Sequence, residues 1–150
     1  MTYLLDTNVL SALAPTKTKA VTEFVDWLEA ESAHLYLSTV TAAEIHDGIA
    51  KAKRQGVTRK AETLSTWWRA VEHLYGDRIL PFDLAAAGLA GSLADKARGA
   101  GHDPGFADIV IAATAGVHGL TILTRNIRHF APLGVVALDP FQALPSFPAA

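Results

Sequence analysis

The sequence contains no cysteine. A disulfide scaffold, a cysteine-ligated zinc finger and a thiol nucleophile are therefore excluded. The lack suits a reducing cytoplasm, the expected compartment. A surplus of positive charge is also missing, because the formal net charge is -2. A protein that gripped nucleic acid mainly by counterion release over its whole surface would be basic. Any action on nucleic acid must then rest on local cations, a bound metal, or both. The opening MTYLLDTNVL lacks the basic segment of a signal peptide, and Asp6 interrupts its short apolar run. The most apolar later stretch, Ile109 to Leu123, is too short and too mixed to span a bilayer.

Half of the residues are hydrophobic, enough to fill a core, and 150 residues suit one domain, expected to run from 1 to 150. No repeat or low-complexity linker appears, and only Pro145 to Ala150 reads as a loose tail. Basic residues cluster in one block, Lys51, Lys53, Arg54, Arg59 and Lys60, with Arg125 and Arg128 near the C-terminus. A solvated helix end and a nucleic-acid contact are both open to the first block.

Tyr3 to Leu5 predicts a first buried strand, and Asp6 or Thr7 can cap a short helix through Leu13, stopped at Pro15. Val21, Phe24, Val25 and Leu28 recur at helical spacing. Leu35 to Ser38 is a second strand, and Thr41 opens a helix with Ile45 and Ile49 on one face. Leu64, Trp67, Trp68, Val71 and Leu74 mark a long amphipathic helix. Ile79 to Phe82 reads as an edge strand because it contains Pro81. Helices follow over Leu84 to Ala100 and from Pro104 to about His118, the second closed by Gly119. Thr121 to Thr124 and Val135 to Leu138 are the last strands. Short apolar strands alternating with helices predict an α/β fold with a mostly parallel sheet.

In such sheets ligands bind beyond the carboxyl ends of the strands. Asp6 closes the first strand, and Glu44 and Asp108 sit early in helices that reach the same edge. Each acid has a purely structural alternative. Asp6 can cap a helix, Glu44 can complete a capping box with Thr41, and Asp108 can favour its helix dipole. Their joint placement argues for more. Three acids at one edge repel one another unless protonated or bridged by cations. Oxygen ligands favour magnesium or manganese, and such an ion can activate water against a phosphodiester.

Other chemistries find little support. The six histidines show no pair at i, i+4, and neither a nucleophile elbow nor a phosphate-binding glycine loop is present.

The segment Leu4-Leu5-Asp6-Thr7-Asn8-Val9-Leu10-Ser11 resembles the first motif of PIN-domain ribonucleases of the VapC toxin type. Leu37 to Ile45 resembles the second motif, Phe106 to Ala115 the third and His118 to Asn126 the fourth. Leu133 onward is similar to the usual ending, so the resemblance covers essentially the whole chain in order. It implies a three-layer α/β/α sandwich with a central, mostly parallel sheet. It further implies an endoribonuclease dependent on Mg2+ or Mn2+, the toxin component of a toxin-antitoxin pair. A homodimer and a small antitoxin that blocks the acidic pocket are the implied partners, with RNA as substrate.

By the same resemblance Asp6, Glu44, Asp108 and Asn126 are the expected catalytic residues, with Asp6 and Asp108 on the metal. Many PIN domains carry an acid where Asn126 stands, or at the place of His129; this chain has neither. Asn126 can still ligate through its carbonyl oxygen. Thr7, Arg125 and His129 are expected to support substrate or site, and Asp103 adds charge nearby or serves a turn beside Pro104. The missing fourth acid motivates an alternative reading, a weakly catalytic or inactive module that binds RNA or antitoxin.

Overall fold

A computed structural model of the chain describes residues 1–16 and 22–146. Five short strands form one sheet: β1 (Tyr3–Leu5), β2 (Leu35–Ser38), β3 (Ile79–Leu80), β4 (Thr121–Leu123) and β5 (Ala137–Leu138). Their order is β3-β2-β1-β4-β5, and every pairing is parallel. The helices are α1 (Thr7–Ser11), α2 (Thr22–Ala30), α3 (Thr39–Arg54), α4 (Thr58–Tyr75), α5 (Leu84–Gly99), α6 (Phe106–His118) and α7 (Ile127–Phe130).

The strand period of two sorts the sheet into two cores. Tyr3, Leu5, Leu35, Leu37 and Leu123 point to one face, where Val9, Phe24, Ile49 and Trp68 of the first four helices cover them. Leu4 and Ile122 point to the other, against Ala90, Ala94 and Ala97 of α5 and the apolar body of α6. Alanine on α5 lets the helix axes approach closely, and almost all of α6 from Ile109 to Ala115 is buried. The result is the expected three-layer α/β/α sandwich. Its sheet is wholly rather than mostly parallel.

Chain order places β2 and β3 on one side of β1 and β4 and β5 on the other. The gap between β1 and β4 is thus the point where the winding reverses, the usual place for a ligand crevice.

Local chemistry explains where the elements differ from the expected bounds. α3 begins at Thr39, not Thr41, because the Ser38 hydroxyl accepts the Val40 N–H at 3.1 Å. The capping box of Thr41 and Glu44 is therefore not formed, and Thr41 is buried. β3 stops at Leu80, since Pro81 has no N–H for the ladder. Asp83 then caps α5 through the Ala86 N–H at 3.0 Å. α6 starts at Phe106 with Gly105 as its N-cap, two residues beyond the expected start at Pro104.

The short helix after Asp6 ends at Ser11 rather than Leu13, and the last strand is confined to Ala137–Leu138. Gly119 ends α6 at φ 65°, a left-handed conformation that suits glycine. Val21 and residues 147–150 of the expected tail lie outside the described residues. Pro145 is not loose, because its carbonyl accepts the Trp27 indole N–H at 3.2 Å.

A candidate active site at the reversal point of the sheet

Asp6 emerges from β1 at this reversal point. Its N–H still joins the sheet, donating to Leu123 O at 2.9 Å, and its carbonyl then accepts Val9 and Leu10 as α1 begins. The carboxylate is buried, at 6% exposure. Oδ1 accepts the Thr7 N–H at 2.8 Å and Oδ2 accepts the Thr124 hydroxyl at 2.7 Å. A carboxylate has about four acceptor positions, so roughly two remain unused. Capping and a chemical role are therefore compatible in the same side chain.

Glu44 lies in the sixth position of α3 and is exposed. Its Oε1 accepts the Thr7 hydroxyl at 2.7 Å, and the Thr7 oxygen lies 2.9 Å from that of Thr41. With the Thr7 proton on Glu44, Thr41 donates to Thr7, giving a directed relay from the core to the acid. Asp108, in the third position of α6, is about three-quarters buried by its side chain. Its Oδ2 stands 3.3 Å from His129 Nδ1 on α7.

The Asp6 carboxyl is pushed up from the ordinary carboxylate range. Burial is the largest cause. The hydrogen bonds from Thr124 and Thr7 work against it, and the negative charges of Asp108 and Glu44 add to it. Asp6 thus feels both other acids, and among the described residues no lysine or arginine pairs with any of the three. That uncompensated negative charge, presented entirely by oxygen atoms, fits a hard divalent cation. Among the described residues no three acidic or histidine side chains lie close enough together to hold a metal ion by themselves. The donor set instead suits a hydrated ion such as magnesium, which takes one or two carboxylates directly and reaches others through water.

The remaining expected residues divide. Asn126 stands at the N-cap of α7, half-buried, its N–H donating to Thr124 Oγ1 at 3.0 Å. Arg125 turns away from the acids. Its guanidinium lies over the Phe141 ring, 4.7 Å from the centroid, and its N–H donates to Asn8 Oδ1 at 3.2 Å. Asp103 lines a hollow of about 280 Å3 beside Asp108 and His129 and reaches Arg98 at 4.0 Å.

Sequence reasoning assigned no role to Thr124 or Asn8, and gave Thr41 only a helix-capping one. Thr124 is fully buried and links the ends of β1 and β4 through its hydroxyl. The only available signal was a hydroxyl placed directly after an apolar strand, as Thr7 is placed after Asp6.

On its other side the site opens into a groove of about 410 Å3 between α3 and α4, which Thr7 and Glu44 line at one end. A larger cavity among the described residues, about 1040 Å3, is lined mainly by apolar residues of the first, second and fourth helices, including Leu10, Leu28 and Val71. It contains none of the three site acids, so the chemistry is not there.

Comparison with known proteins agrees with this architecture. Residues 3–134 match the PIN domain family. The chain is 35% identical over 144 residues to plasmid stability protein StbB of Pseudomonas syringae pv. tomato, covering 93% of this chain and 99% of that one. It is 35% identical over 140 residues to VapC ribonuclease Y4jK of Sinorhizobium fredii, covering 93% and 97% respectively. It superposes on a chain of the crystal structure of FitAcB from Neisseria gonorrhoeae with a TM-score of 0.80 at 33% identity, covering 93% of this chain and 98% of that one.

Proposed function

The chain belongs to the PIN domain family, and on that premise we propose that it is an endoribonuclease dependent on Mg2+ or Mn2+, the toxin of a toxin-antitoxin pair. The observation that carries the reading is the trio of Asp6, Glu44 and Asp108 at the reversal point of the sheet, with no lysine or arginine paired to any of them among the described residues. The kinship to a VapC ribonuclease supports turnover over a purely binding module. The kinship to FitAcB supports an antitoxin as partner, and a homodimer is the proposed assembly. Residues 1–150 are proposed to act as one domain. No helix among the described residues is long and apolar enough to cross a membrane, and the proposed location is the cytoplasm.

In this reading Asp6 and Asp108 hold the ion. When bound, the ion supplies positive charge to the phosphate and lowers the pKa of a coordinated water. Glu44, set by the Thr7 hydroxyl, takes a proton from the attacking water or orients it. The water oxygen bonds to phosphorus, the bond from phosphorus to the leaving ribose oxygen breaks, and a proton ends on that oxygen. Asn126 stands in place of a fourth acid and offers a carbonyl oxygen without charge. His129 steadies Asp108.

The test is cleavage of an RNA pool by antitoxin-free protein, with Mg2+ or Mn2+ against EDTA. Wild type should cut only with metal. Asp6→Asn and Asp108→Asn should fold and fail to cut. Full cutting by a clean Asp6→Asn preparation would remove Asp6 from the mechanism.

A further inference from the structure

The groove that leaves the acidic site between α3 and α4 has walls of unusual composition. One wall is a stripe of Glu44, Gly48 and Lys51 on α3, spaced four and three residues apart and hence on one helix face, continued by Gln55 at the helix C-cap. The other wall presents Lys60 and Trp67 of α4. Gly48 lies between the acid and the lysine. A Cβ there would meet nothing within 4 Å, so the glycine leaves the groove floor open rather than relieving a clash. Glycine in the middle of a 16-residue helix is otherwise unfavourable.

Five of the chain's 13 lysines and arginines fall within residues 51–60, which contain no acid. Helix electrostatics explains only some of them. Lys51, Lys53 and Arg54 occupy the last turn of α3, where cations favour the dipole. Arg59 and Lys60 occupy the first turn of α4, where cations oppose it, and that turn has neither an acid nor a side-chain cap. Among the described residues none of the five has a carboxylate partner. The helix end, the two facing lysines and the open floor are complementary to an anion.

We propose that this groove is a second phosphate-binding subsite, in which Lys51 and Lys60 hold the backbone of single-stranded RNA beside the scissile bond. The proposal rests on the nuclease reading. Glu44 and Lys51 are two helical turns apart, about 10 Å along the axis. A strand whose scissile phosphate lies at the acids therefore places a neighbouring phosphate at the lysines. RNA is favoured over an acidic protein segment because the groove is continuous with the acidic site through Thr7 and Glu44. A carboxylate-rich chain would be repelled there, whereas a metal-bridged phosphate would not.

The experiment measures binding of a short, unstructured, fluorescein-labelled RNA to the full chain in EDTA across a salt series, with Mg2+-dependent cleavage measured in parallel. Each single-strand phosphate contact contributes about 0.7 to the salt slope. Lys51→Gln/Lys60→Gln should flatten the slope by about 1.4 and weaken binding about 25-fold at 0.1 M salt. Its KM should rise while kcat holds. Gly48→Leu should also weaken binding, with its melting temperature unchanged or raised. Lys96→Gln/Arg98→Gln on α5 should keep the wild-type slope.

An unchanged slope in the Lys51/Lys60 variant, with wild type still cleaving, would overturn the subsite and leave the nuclease reading intact. Failure of wild type to bind or cleave RNA would overturn both. If in that case the same two lysines were needed to bind a polyglutamate peptide, the groove would instead belong to a protein partner.

Discussion

Replacing Thr124 by valine keeps the shape of a fully buried side chain and removes one hydroxyl. That hydroxyl donates to Asp6 Oδ2 at 2.7 Å and accepts the Asn126 N–H at 3.0 Å. A hydrogen bond to a charged group contributes about 1.5–3 kcal/mol, and a stranded N–H costs about 1 kcal/mol where water cannot reach it fully. The expected loss is about 2–3 kcal/mol at pH 8 in EDTA. For a chain of this length that is roughly 5–10 °C in melting temperature.

The pH dependence separates the two contributions. Asp6 is already raised by burial, and losing Thr124 raises it further. A carboxyl raised in the folded state contributes stability below its unfolded pKa and loses it as pH rises through the folded pKa. Wild type and variant both lose this contribution on going up in pH, and the variant loses more. Their difference should be small, about 1 kcal/mol, below the ordinary carboxylate range. It should reach its full size above the raised pKa of Asp6. Urea unfolding of both proteins at a series of pH values measures this directly, since other titrating groups cancel in the difference. Thr124→Ser should restore most of the loss. A loss that is the same at every pH, or a serine variant as weak as valine, would refute the role given to the hydroxyl.

Mg2+ or Mn2+ should stabilise wild type by about 2.7 kcal/mol at a hundredfold excess over Kd. Asp6→Asn should lose that gain in a thermal melt. An equal gain in the variant would place the ion elsewhere. Arg78 donates to the carbonyls of Ser32, Leu35 and Leu74 and lies 4.8 Å from the Tyr75 ring centroid. Arg78→Ala should therefore cost about 2–3 kcal/mol in chemical unfolding while leaving cleavage intact below the melting temperature. Lost cleavage in a folded Arg78→Ala protein would contradict its assignment to structure alone.

Much of this architecture was legible because its signals are local. Tyr3 to Leu5 is an apolar run ended by an acid, as expected of a strand in a parallel sheet covered on both faces. Gly119 follows the last periodic residue of α6, where a left-handed cap is needed. The start of α3 was less legible, since Ser38 continues the strand and looks like part of it, and only the realised Val40 contact makes it the cap. α7 has four residues, too few for a helical period to appear. The hardest features depend on strand order. Thr124 bonds Asp6 across 118 positions of sequence only because β4 lies beside β1. Arg125 shares the same turn, and nothing in its own neighbourhood reveals that Phe141 holds its side chain away from the acids.

The distribution of charge resolves the apparent conflict between a net charge of -2 and a polyanionic substrate. The acids gather where the sheet reverses, and five cations gather on the α3–α4 connection with no acid among them. Whole-chain charge averages these two regions and describes neither. Asp6 makes the separation costly, because its burial beside Asp108 and Glu44 opposes its own ionisation. Packing alone would favour a neutral residue at the end of β1. The Thr124 hydroxyl and the Thr7 backbone N–H reduce that cost without removing it, since each donates a hydrogen to Asp6 and adds no positive charge. A lysine or arginine at either position would neutralise the site and exclude a divalent ion. The hydroxyls instead keep the acids ordered and the negative charge uncompensated, which is the condition for binding a cation strongly enough to act on phosphate.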